Sequence, residues 1–156
     1  MEDRKEILNC RDRFQWREWL SQNFGSESEV WLVFPGKNSG EEGVSYNDAV
    51  EEALCFGWID GRTGALDESH LLRRFTPRRR GSSYSQPNIE RLKWLDSKGL
   101  IHPLVRPSVE EIINAHFIYP EDILDAIRKD GEAWKNYQSF KEIGRASCRE
   151  RVSLAV

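Results

Sequence analysis

Apolar and polar residues alternate along this chain with periods that change every ten to fifteen positions. In "RFQWREWLSQNF" the residues Phe14, Trp16, Trp19, Leu20 and Phe24 recur at helical spacing. Asp12 stands where an N-cap belongs and Gly25 where a helix stops, so the pattern predicts an amphipathic helix between them. "EVWLVFPG" is a short run of Val and aromatic residues closed by Pro-Gly, and it predicts a buried strand from Val30 to Phe34. Ser45 with Asp48 three residues on opens "YNDAVEEALCF", a helix whose apolar stripe is Ala49, Val50, Ala53 and Leu54. Glu51 and Glu52 are expected on its outward side, and Gly57 stops it.

"WIDGRTGALDESHLLRRFTP" reads as a hairpin or two sequential strands. Its alternation is imperfect, because Leu71, Arg73 and Phe75 share a face, so either Arg73 extends to water or a bulge re-aims it. Ser85 then caps a helix with Pro87 in its first turn, a stripe of Ile89, Leu92 and either Leu95 or Trp94, and Gly99 past its end. A link with Pro103 and Pro107 follows, and another helix starts at Pro120, with Glu121 and Asp122 near its positive end and Arg128 and Lys129 near the other. The expected architecture is α+β: a small, mostly antiparallel sheet packed by the helices around Trp19, Ala53 and Leu92, with a helical appendage after residue 107.

The 156 residues suit one domain of ordinary size, with 11% aromatic residues as core material. No run of eighteen apolar residues occurs and the N-terminus is charged, so a membrane span is not expected and a cytoplasmic location is. Three separated cysteines give neither a disulfide framework nor paired zinc-ligand spacing. The three histidines are isolated and no nucleophile elbow or calcium-loop spacing is present, so no metal, cofactor or catalytic residue is assigned.

Residues 142–156 lack any periodicity, and "EIGRASCRERV" is similar to a sequencing adapter translated in one frame. Leaving out residues 143–156 removes three arginines and one glutamate, and the net charge moves from −3 to −5. Against that acidic background the run from Arg73 to Arg80 holds five arginines and no acid. Three readings compete for it: a solvated basic face, a specific anion site, or a nucleic-acid patch. The acidic remainder and thin aromatic interleaving count against nucleic acid. Strand-end arginines beside a helix N-terminus and serine hydroxyls suit a small anion. The candidate ligand-binding residues are Asp60, Arg74, Arg78, Ser82, Ser85 and Asn88. Asp60 is read either as a capped turn or as half of an ion pair with an arginine of the following strand.

"SYNDAVEEALCFGWIDG", "RFTPR", "SSYSQPN" and "YPEDILDAIRKDGEAWKNYQSF" together resemble the YdeI/OmpD-associated family, also labelled bacteriocin-protection proteins. The likeness runs from about Trp19 to Phe140, with Tyr84 where that family usually has Trp and Ile101 where it has Met. It implies a role in stress resistance or bacteriocin protection and no established reaction. It also implies a continuation rich in Arg and Lys beyond Phe140, so the reading frame is expected to be truncated. The function expected is a non-enzymatic binding module for an anionic small molecule or an acidic protein terminus. A protein-interaction domain working through the missing segment is the alternative, and an uncatalogued enzyme the second.

Overall fold

The computed structural model describes residues 6–37, 39–115 and 120–140. The expected foreign tail at 142–156 lies outside them. The described residues form six helices and a four-stranded mixed sheet, an α+β fold. They fall into two compact units: the chain up to Ser82 together with Leu100–Val105, and Ser83–Gly99 together with the chain from Arg106.

In the first unit the elements are β1 (Ile7–Leu8), α1 (Arg13–Asn23), β2 (Val30–Pro35), α2 (Tyr46–Cys55), β3 (Trp58–Ala65) and β4 (His70–Pro77). The strand order is β1-β2-β4-β3, with β1 parallel to β2 and the other pairs antiparallel. Local chemistry sets the helix starts. Asp12 accepts hydrogen bonds from the Phe14 and Gln15 backbone N–H groups, both at 2.9 Å. Ser45 accepts from the Asp48 N–H at 3.1 Å and its hydroxyl donates to the Asp48 carboxylate at 2.8 Å, a shortened capping box. Gly57, at φ +71°, takes the left-handed turn that ends α2, and its carbonyl then accepts from the Arg78 N–H at 2.9 Å.

Register decides which strand residues meet the helices. Val30 pairs with Phe75 and Leu32 with Arg73, so Phe75 and Arg73 share one side of the sheet while Trp31, Leu72 and Arg74 take the other. On the first side Trp16 of α1 is fully buried, 5.2 Å from the Phe75 ring and stacked at 5.4 Å on Trp19. Its indole N–H donates to the Ala49 carbonyl at 3.0 Å, which joins α1 to α2. Trp58 meets Trp19 edge-on at 5.7 Å and donates to the Phe24 carbonyl at 3.1 Å. Phe14, expected on this apolar side, is instead 75% exposed. The segment 100–105 returns to this unit: the His102 N–H donates to the Cys55 carbonyl at 2.9 Å, and its ring lies against Phe24 and Phe56.

The second unit holds α3 (Gln86–Ser97), α4 (Arg106–Asn114), α5 (Glu121–Arg128) and α6 (Gly131–Ser139). Pro107 opens α4 rather than lying in a link, as proline tolerates a first helical turn. Arg106 clamps α3 to α4 through Asp96 at 2.8 Å. Asp130 caps α6, where Tyr137 is buried and stacked on Trp134. Phe140, just past the end of α6, is 44% exposed.

Replacing Trp16 by Ala removes a fully buried ring and one interhelical hydrogen bond. The expected loss is about 3–5 kcal/mol. Chemical denaturation of Trp16→Ala against the parent chain measures it.

Candidate functional site

The six residues singled out in the sequence divide between the two units. Asp60, Arg74, Arg78 and Ser82 belong to the first, Ser85 and Asn88 to the second. Asp60 is an ion-pair partner of the following strand: its Oδ2 accepts from Arg73 Nη1 at 2.8 Å and from the Tyr46 hydroxyl at 2.9 Å. The guanidinium of Arg73 also lies over the Tyr46 ring, 4.5 Å from its centre. Asp60 therefore orients Arg73 and not Arg74 or Arg78. A bulge in β3 produces this choice, because between Asp60 and Thr63 the strand carries one residue more than β4 opposite it.

Arg74 emerges on the other side of the sheet, where its Nε donates to the Glu29 carboxylate at 2.9 Å and its Nη2 contacts the same oxygen. Its fork is thus occupied by a carboxylate from within the fold. Arg78 reaches forward to Ser82, with Nη2 at 3.0 Å from the hydroxyl and 3.3 Å from the carbonyl. The Ser82 hydroxyl donates to the Arg79 carbonyl at 2.8 Å, and Gly81 at φ +76° closes the turn. Arg79 and Arg80 stand exposed at its crest and form no ion pair with a described residue. In the second unit Ser85 occupies the N-cap of α3 without a side-chain capping bond, and Asn88 accepts from Arg91 Nη1 at 3.1 Å.

A second charged cluster was not foreseen. Glu52, expected to point outward, is 3% exposed. Its Oε1 accepts from Arg13 Nε at 2.8 Å and Nη2 at 2.6 Å, and its Oε2 from Arg17 Nη1 at 2.6 Å. Arg13 also bonds Asp48 and Glu51, while Arg17 donates to the Leu100 carbonyl at 2.8 Å and lies over the Phe56 ring. The sequence signal was available: Arg13 and Arg17 are four apart on α1, as Asp48 and Glu52 are on α2, so each pair lines one helix face. Beside this cluster burial, reinforced by Glu52, pushes the Cys55 thiol up to about 11. Burial and Asp12 push Cys10 to about 11 as well, so both buried thiols stay protonated and unreactive at neutral pH.

The turn between β3 and β4 carries a third cluster. His70 contacts Asp67 through Nδ1 at 2.8 Å and Glu41 through Nε2 at 3.2 Å. The Asp67 hydrogen bond, then that of Glu41, raises the His70 pKa above its ordinary 6.5. The His70 hydrogen bond in turn lowers that of Asp67 below 3.8. Among the described residues no group of three His, Cys, Asp or Glu side chains is arranged to hold a metal ion.

Two outcomes follow from these clusters. Glu52→Ala leaves two guanidinium groups without their shared carboxylate and should cost about 3 kcal/mol in unfolding free energy, as breaking a buried pair does. The stabilisation from His70 is present below pH 6.5 and fades as pH rises through its higher folded-state value. That from Asp67 is present above pH 3.8 and fades as pH falls through its lower folded-state value. The turn should therefore be held best between these limits, and thermal unfolding of His70→Ala should differ most from the parent chain there and converge with it in alkali.

No helix among the described residues is long and apolar enough to cross a membrane. No curated protein and no solved structure matches the chain. Residues 8–107 match the model of a family described as a domain of unknown function, DUF8412, and over that span the chain belongs to this family.

Proposed function

We propose that this chain is a binding module that accepts an anion at the turn from Arg78 to Ser82. One contrast carries the reading. Arg13, Arg17, Arg73, Arg74, Arg106 and Arg128 each spend their guanidinium on a carboxylate of the fold; of the exposed arginines with no such partner among the described residues, Arg11 and Arg62 stand singly, whereas Arg79 and Arg80 stand side by side on one turn. The turn is braced from within by Arg78 and Ser82, so its crest is held in one shape before a ligand arrives. Planar, permanently charged guanidinium groups on a fixed turn suit phosphate or carboxylate oxygens. Asp60 and Arg74 support the fold around the turn through their own ion pairs.

Binding is favoured over catalysis because Asp60, Glu52 and His70, the groups best placed for proton transfer, are each engaged by charged neighbours. The resemblance to the YdeI/OmpD-associated proteins adds a cytoplasmic role in stress resistance or bacteriocin protection to the proposal. A protein-interaction role is favoured by one observation, that Ile123, Leu124 and Ile127 of α5 are only half-buried and the helix has no fully buried residue.

Titration with inorganic phosphate, followed by calorimetry, tests the anion site. Arg79→Ala with Arg80→Ala should weaken binding by about tenfold or more while unfolding stays within about 0.5 kcal/mol of the parent. Equal affinity in the double variant overturns the reading. Duplex DNA provides a control: a nucleic-acid role requires a log–log salt slope of about −0.9 per phosphate contacted, and no such slope is expected.

A further inference from the structure

The sheet leaves one long edge open. β3 is terminal in the strand order and pairs, among the described residues, only with β4. Gly61, Arg62, Thr63 and Ala65 along it are exposed. The Leu66 N–H donates to the His70 carbonyl at 2.9 Å, which sets the phase of the ladder beyond the bulge. By antiparallel alternation Gly64 faces β4, and Thr63 and Ala65 turn their peptide groups outward. Free edges of this kind are usually blunted by charge, proline or a bulge. Here the bulge and the single charge of Arg62 protect only the first half of the strand, and the second half presents small side chains.

Charge is distributed to match. Arg62 and Glu68 are both exposed, and neither forms an ion pair with a described residue. When β3 is laid antiparallel on a copy of itself about an axis at Gly64, Thr63 stands opposite Ala65 of the second copy. Arg62, within the bulge, then lies across from Leu66 of the second copy, and the turn that begins at Leu66 carries Glu68 within reach of a long side chain. Leu66, 47% exposed, would be covered by the aliphatic stem of that arginine.

We propose that β3 is the surface through which two copies of this chain pair, antiparallel about a two-fold axis at Gly64. The contact is held by the outward peptide groups of Thr63 and Ala65 and by reciprocal Arg62–Glu68 charge pairs. Such an arrangement is isologous and closes after two copies, so it makes a dimer and not a fibre. It lies apart from the turn at Arg78–Ser82, at the other end of the hairpin, and leaves that turn accessible.

Sedimentation equilibrium of the full chain tests this at protein concentrations up to about 1 mM, the range suited to a small, transient interface. A reversible species of twice the chain mass is expected. Arg62→Glu should raise its dissociation constant by about tenfold, and Arg62→Glu combined with Glu68→Arg should recover it, because the pair is restored with its signs exchanged. Amide hydrogen exchange at Thr63 and Ala65 should slow as concentration rises. A chain monomeric throughout that range overturns the proposal, as does a dimer indifferent to Arg62→Glu or one whose formation leaves exchange at both amides unchanged.

Discussion

A carboxylate removed from water must find a cation, and Glu52 imposes that demand on the first unit. Left alone among α1 and α2 it would cost several kcal/mol. Its two oxygens are shared instead between Arg13 and Arg17. This fixes the register of the two helices, because both arginines lie one turn apart on α1 and must converge on one residue of α2. With that register set, the Trp16 indole reaches the Ala49 carbonyl and its ring covers Phe75. Arg17 extends the same tie to the segment 100–105 through the Leu100 carbonyl. Aromatic and aliphatic side chains together form the core, and the ion pairs select one arrangement of it.

The same electrostatic requirement sorts the arginines by role. Those near the sheet are neutralised in place: Arg73 by Asp60, Arg74 by Glu29. The strand ends at Pro77, and the next arginines, Arg78 to Arg80, lie past it. Arg78 folds back on Ser82, while Arg79 and Arg80 face solvent on an acidic chain. A positive crest on a negative molecule concentrates anions locally even when its area is small. The proposed anion site therefore rests on charges that the fold leaves without a carboxylate partner among the described residues.

Much of the local structure was legible because its causes are local. Asp12, Ser45 and Gly57 act through neighbours one to four residues away, and the ends of α1 and α2 fall where those residues place them. The strand expected at Val30–Phe34 spans Val30–Pro35, and the β3–β4 hairpin follows its turn residues. What escaped depends on pairing across the chain. β1 is two residues long and exists only because Trp31 and Leu32 lie beside it. The burial of Glu52 is decided by Arg13 and Arg17, thirty-odd positions away: the i,i+4 spacing on each helix places each pair on one face but does not show that the two faces meet. For the candidate site, the ion pair of Asp60 with an arginine of β4 was one of two readings. That the partner is Arg73 follows from a single extra residue in β3, an offset invisible to composition. The joining of Arg74 with Arg78 into one anion-binding fork was an expectation that Glu29 redirects, since it holds Arg74 on one side of the sheet.

Nuclear magnetic resonance of the arginine Nε–H groups during addition of inorganic phosphate addresses the central claim most directly, because it reads each guanidinium separately. The account predicts that Arg79 and Arg80 shift and saturate together, while Arg13, Arg17, Arg73 and Arg74 stay in place with their carboxylates. Phosphate that moves the paired arginines first, or leaves the Arg79 and Arg80 signals unchanged, would contradict it.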